Sequence, residues 1–97
     1  MFARCTTMQF KIAFIDKAIE IYNQSILPAA KSQKGFLGLN FFLDRKTGKA
    51  VSIAIWESEE DALANEKSLY YQEQIIKLMN LYSTPPIREG FEVIVRI

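Results

Sequence analysis

Ninety-seven residues supply one domain, which excludes an enzyme with separate cofactor and substrate lobes. The chain is 49% apolar and 24% charged, unlike a disordered sequence, and no apolar run nears the ~20 residues of a membrane helix. Lys and Arg number 12 against 11 Asp and Glu, too small a basic excess for a compact nucleic-acid-binding domain, and His is absent.

Without His there is no Ser-His or Cys-His nucleophile pair, no imidazole base and no imidazole ligand to metal or haem. Cys5 is the only cysteine, so neither an internal disulfide nor a thiolate metal site can form. A reducing cytoplasm suits such a chain, and residues 1–9 hold no apolar stretch of secretory type. The expected location is cytoplasmic.

The first element is a strand over Phe2–Phe10, with Phe, Cys and Thr and no Gly or Pro. Lys11–Lys31 follows as an amphipathic helix. Ile15, Ala18, Ile19, Tyr22, Ile26 and Ala29 recur at three- and four-residue steps, opposite Asp16, Lys17, Glu20 and Asn23. Pro28 lacks the N–H that would bond the Gln24 carbonyl, so a kink or broken last turn is expected there.

Phe36–Leu43 is the second strand. Phe36, Gly38, Asn40 and Phe42 form one face and Leu37, Leu39, Phe41 and Leu43 the other, both largely apolar. Asp44–Lys49 is a charged hairpin loop with Gly48 free to take positive φ. Ala50–Trp56 is the third strand, with bulky Val51, Ile53 and Ile55 backing onto Ser52, Ala54 and Trp56.

Ser58-Glu59-Glu60-Asp61 has the form of a helix start: a capping Ser and acids at the positive end of the dipole. The polar stretch Asn65–Ser68 is expected to break this helix. Leu69–Leu81 resumes it with Ile75, Ile76 and Met79 as the buried stripe. Thr84-Pro85-Pro86 stops the helix, and Phe91–Ile97 alternates as the last strand.

The order βαββαβ predicts an α+β, ferredoxin-like sandwich with a four-stranded antiparallel sheet, residues 1–97 forming one domain. Two helices cover one sheet face. The other face is still rich in Val, Ile, Leu and Phe, so the sheets are expected to pair face to face in a homodimer. Lys34–Phe41 partly matches an RNA-recognition motif, but it lies on the second strand rather than the third and lacks one stacking aromatic. Neither nucleic acid nor membrane is an expected partner.

Leu27-Pro28 with Lys34-Gly35-Phe36-Leu37-Gly38, the hairpin Asp44–Lys49, and Ile53–Asp61 carry a resemblance over nearly the whole chain. The sequence resembles the antibiotic biosynthesis monooxygenase family of the dimeric α+β barrel superfamily. A strand ending in Trp and followed by an acidic helix cap is the most telling stretch. The resemblance implies a homodimer with a pocket between sheet and helices in each protomer.

Members of that superfamily include oxygenases that act on phenols or quinols without metal or flavin, haem-degrading enzymes, isomerases and decyclases. The haem-degrading branch uses an Asn on the first strand, a Trp at the place of Trp56 and a His in the second helical region. Here Thr6 or Thr7 and apolar residues around Ile75 stand instead, so haem degradation is not expected.

Many members have no known activity, and what the resemblance implies first for this chain is cofactor-free oxygenation of a small aromatic or quinol-type substrate. It needs a dry pocket and hydrogen-bond donors for an aromatic anion, and calls for no cofactor and no metal. The pocket candidates are Trp56, Asn40, Arg4, Thr6, Ser52, Tyr70 and Tyr71. Each has a structural alternative: Trp56 as core, Asn40 satisfying backbone, Arg4 in an ion pair, the Tyr pair as packing. The competing readings are a non-catalytic dimeric domain sheltering a small apolar molecule, and a stress-related protein with a vestigial pocket.

Overall fold

A computed structural model describes residues Met1–Ile97. Strand β1 is Phe2–Phe10. A short 3₁₀ turn, Ile12–Phe14, leads into helix α1, Ile15–Ile21. The chain stays helical through a π-turn at Tyr22–Ile26 and into α2, Leu27–Lys31.

This corrects the break expected at Pro28. The π-turn shifts the backbone bonding by one residue, so the Leu27 N–H donates to the Tyr22 carbonyl. Pro28 then sits in the first turn of α2, where a missing N–H costs nothing.

Strands β2, Phe36–Leu43, and β3, Lys49–Trp56, form the hairpin. Gly48 turns it at φ +80°, where a side chain would also strike the Phe10 carbonyl. Helix α3 is Glu59–Lys67, and the Ser58 hydroxyl caps it by accepting the Asp61 N–H at 3.1 Å. The expected break over Asn65–Ser68 shrinks to Ser68, whose hydroxyl caps α4, Leu69–Ile75. Asn65 is buried inside α3, because it and Glu66 face an interior cavity, while Lys67 is exposed.

A 3₁₀ stretch, Ile76–Leu81, replaces the end of the expected second helix. Rewinding from 3.6 to about 3.0 residues per turn rotates the buried face. Leu78 and Leu81 are buried, while Ile76 and Met79 are 60% and 61% exposed, which corrects the expected stripe.

Strand β4 is Tyr82–Glu92, not Phe91–Ile97. It takes in Pro85 and Pro86 because it lies at the sheet edge, paired only with β1. Gln9 pairs with Thr84 and Thr7 with Ile87, so β4 carries one extra residue in a bulge at the prolines. The Val93 N–H still donates to the Met1 carbonyl at 3.1 Å; beyond it Ile94, Val95 and Ile97 are exposed.

The sheet is antiparallel with order β2-β3-β1-β4, the ferredoxin-like arrangement expected from the element order. All helices lie on one face. Two apolar cores anchor them: a larger one around Met8, Phe10, Ile26 and Leu78, and a smaller one of Phe2, Trp56 and Ala62. The opposite face is uncovered and carries Phe42, Ile87 and Phe91, each at least half exposed, beside Val51, Ile53 and Ile55. No helix is long and apolar enough to cross a membrane.

Candidate functional site

The two cores leave a cavity of about 450 Å³ between the helices and the sheet. Alternation along β1 and β3 decides which side chains enter it. Arg4, Thr6 and Met8 point inward from β1, and Ser52, Ala54 and Trp56 from β3. The register Arg4↔Ala54 and Thr6↔Ser52 places them side by side. Ala62, Asn65 and Glu66 of α3, Tyr71 and Ile75 of α4, and Leu78 close the helical side. Pro85, Pro86 and Arg88 of β4 form the remaining wall.

Of the sequence candidates, Arg4, Thr6, Ser52, Trp56 and Tyr71 line this cavity. Asn40 does not. A register shift between Phe36 and Gly38 flips the alternation of β2. Phe36 packs edge-on against Trp56 with ring centroids 5.5 Å apart, while Asn40 stands exposed on the open sheet face. Tyr70 is also outside: it is half exposed, one helical step of about 100° from Tyr71.

The polar part of the cavity is a cluster of three charges. Arg4 Nη2 lies 3.1 Å from Glu66 Oε2, and Arg88 Nη1 donates to Glu66 Oε1 at 3.2 Å. Two guanidiniums against one carboxylate leave one excess positive charge beside an apolar chamber. Arg4 and Glu66 are each 17% exposed, so solvent screens their charges only in part. Arg4 Nε and Asn65 Oδ1 are buried without a hydrogen-bond partner.

Gly90 permits this placement of Arg4. A Cβ there would strike the Phe2 ring and lie 3.0 Å from Arg4 Nη1. The Arg4 guanidinium instead rests 5.2 Å from the Phe2 ring centroid, a cation–π contact that holds it in place.

Three phenols also face the cavity. The Tyr22 hydroxyl donates to Ser52 Oγ at 2.6 Å. Burial pushes all three upward in pKa: Tyr82 to about 12, Tyr22 and Tyr71 in the same direction. Around Tyr71 the carboxylate of Glu66 adds to the rise, while Arg88 and Asn65 pull against it. Asn65 exerts this pull from beside the phenol, without a bond of good geometry between them. At neutral pH the phenols are hydrogen-bond donors rather than anions.

The cavity brings only one carboxylate, Glu66, and no thiol among its walls, so it offers no set of metal ligands. The Cys5 thiol sits opposite Glu89 on the other sheet face, and burial followed by Glu89 raises its pKa against the opposing pull of Arg4. Sequence reasoning missed Tyr22, Asn65, Glu66, Tyr82 and Arg88 as cavity residues. Tyr22 carried only a core signal, Asn65 and Glu66 fell in the presumed break, and Arg88 followed two prolines.

The fold has close counterparts among solved structures. One antibiotic biosynthesis monooxygenase superposes with a TM-score of 0.83 at 14% identity, over 98% of this chain and 100% of that one. A monooxygenase from Streptomyces coelicolor, solved with the ligand Nanaomycin D, gives 0.80 at 18% identity, over 99% and 89%. SnoaB, a cofactor-independent oxygenase from Streptomyces nogalater, gives 0.79 at 12% identity, over 99% and 95%. The chain thus has the fold of the antibiotic biosynthesis monooxygenases, as its sequence resemblance implied.

No family model matches the sequence. Two uncharacterised proteins of Mycobacterium tuberculosis, Rv2557 and MT2634, are each 28% identical to it over 69 residues, or 71% of this chain. The chain spans 31% of the length of those relatives.

Proposed function

We propose that this chain is a monooxygenase-like protein whose cavity binds a small aromatic or quinol-type molecule as its anion and oxygenates it without a cofactor. The observation that carries this reading is the Arg4–Glu66–Arg88 cluster, with its excess positive charge on the wall of an apolar chamber. The cavity volume of about 450 Å³ falls in the roughly 300–1,000 Å³ range of small-molecule sites. The proposal also draws on the fold shared with SnoaB and with the ligand-bound Streptomyces coelicolor monooxygenase.

The substrate supplies the electrons. Converting an activated CH₂ beside the phenol ring to a carbonyl releases four electrons, which reduce O₂; one oxygen atom enters the product and the other leaves as water. The protein's task is to favour the electron-rich anion and keep water from it. Arg4 and Arg88 stabilise the charge, the protonated phenols of Tyr71 and Tyr82 donate hydrogen bonds, and Trp56 forms an aromatic wall.

The working unit in this reading is a homodimer joined through the uncovered sheet face, where Phe42, Ile53 and Phe91 would be removed from water.

A second reading has its own support. Glu66 is the only carboxylate in the cavity, and both its oxygens face guanidiniums. A site with its one base so occupied also suits binding without chemistry.

Oxygen uptake by metal-stripped protein, over a panel of hydroquinones and polycyclic phenols, separates the two. Uptake above the autoxidation blank, lost in Arg88→Met and kept in Asn40→Ala, is the expected result. Saturable binding of the panel with no uptake would leave the binding-domain reading.

A further inference from the structure

Tyr22 borders two separate hollows. One is the main cavity. The other, of about 360 Å³, is lined by Tyr22 together with residues of α1 and β2. Its walls are Ile19, Phe41 and Leu43, with Asn23 and Arg45 toward the outside.

Tyr22 is held at its backbone and at two points of its side chain. It opens the π-turn, where its carbonyl accepts the Leu27 N–H. Its hydroxyl donates to Ser52 Oγ at 2.6 Å. Its face rests on Phe41, ring centroids 4.1 Å apart and tilted by 52°. A buried aromatic held by backbone, hydrogen bond and a tilted ring contact is a wall rather than a loose side chain.

The geometry points to Tyr22 as a specificity-determining partition that ends the main cavity and so sets the length of ligand it accepts. Removing the ring would join the two hollows into one longer apolar channel. The inference rests on the main cavity being the ligand site, and the ligand class it restricts is an aromatic phenol carrying an apolar chain. Such a chain, running from the ring past position 22, would lie along Ile19 and Leu43.

The test uses 2-naphthols bearing n-alkyl chains from methyl to hexyl, together with their O-methyl ethers. Affinities are read by quenching of Trp56 fluorescence, and contacts by methyl NMR shifts. In the unaltered protein, short chains are expected to bind best and to move the methyl signals of Ile75 and Leu78. The signals of Ile19 and Leu43 stay in place.

In Tyr22→Ala the preference shifts to longer chains, affinity rising roughly fourfold per added methylene until the joined space is full. The Ile19 and Leu43 signals then move. Tyr22→Leu, which keeps more of the core volume, guards against loss of folding and is expected to shift the preference by fewer methylenes. A preference for short chains unchanged in both folded variants would overturn the partition. So would Ile19 and Leu43 signals that already move in the unaltered protein. Ethers that bind as tightly as the naphthols would count against the anion reading alone, while absence of binding by every compound to every variant would overturn both.

Discussion

Glu66 holds two arginines from different strands: Arg4 of β1 at 3.1 Å and Arg88 of β4 at 3.2 Å. It reaches both because α3 packs over β1 and β3, and Arg88 of the neighbouring β4 stands beside Thr6 of β1. The contact therefore locks a helix to the sheet and also sets the charge of the cavity. Those two roles respond oppositely to one substitution.

Glu66→Gln removes the carboxylate and leaves two guanidiniums facing each other. The pair with Arg4 is largely shielded, so folding stability should fall by about 1–3 kcal/mol, below the range for fully buried pairs. The excess positive charge in the cavity rises, so affinity for a naphtholate should increase while the fold weakens. Urea unfolding and ligand titration read the two effects separately. A variant losing both stability and anion affinity would contradict the charge assignment.

Tyr22→Phe keeps the ring and removes the hydroxyl. Ser52 Oγ is then left buried without its partner, at a cost of about 1–3 kcal/mol in urea unfolding. Because the ring stays against Phe41, the ligand-length preference should not change. The same variant thus distinguishes the stabilising hydroxyl from the partitioning ring.

Gly90→Ala places a methyl group against Phe2 and beside Arg4 Nη1. The Phe2 ring belongs to the smaller core with Trp56, so it cannot yield freely. A loss of about 1–3 kcal/mol is expected, with a changed Trp56 emission as the sheet edge shifts. Anion affinity should fall as well, because the displaced Arg4 leaves its place over the Phe2 ring.

Much of this was legible from period alone. Alternation put Ser52, Ala54 and Trp56 on one face of β3, and the structure turns that face to the cavity, beside Arg4 and Thr6 of β1. The failures share a cause, which is that a local irregularity changes the phase of every residue after it. The shift near Leu37 moved Asn40 to the open face. The 3₁₀ rewinding after Ile75 moved Ile76 and Met79 outward. At β4, two prolines mark a loop by local preference, and only the edge position with its bulge lets them stand in a strand. Nothing local to those residues announces a tertiary edge.

The uncovered sheet face yields a prediction independent of any ligand. Phe42 and Phe91 are 53% and 50% exposed on opposite edge strands, with apolar β3 between them. Light scattering is expected to give a dimer at micromolar concentration. Phe42→Glu should shift it to monomer without unfolding, because the side chain already meets water in the single chain. A monomer before the substitution would show that this face works uncovered.

Alkaline pH gives the last test, with the sign fixed by burial. Tyr82 is raised from an ordinary value near 10 to about 12, and Tyr22 and Tyr71 rise too. A phenol with a higher folded-state pKa stays protonated in the fold while the unfolded chain ionises. The stability from this difference is fully present below pH 10 and is lost as pH rises from 10 toward 12. Urea unfolding should show that decline, and Tyr82→Phe should make it shallower. Tyrosinate absorbance from Tyr22, Tyr71 and Tyr82 should appear only as the protein opens. Early ionisation of these three tyrosines in still-folded protein would mean that the cavity admits water freely, and the dry site that the proposed oxygenation needs would be lost with it.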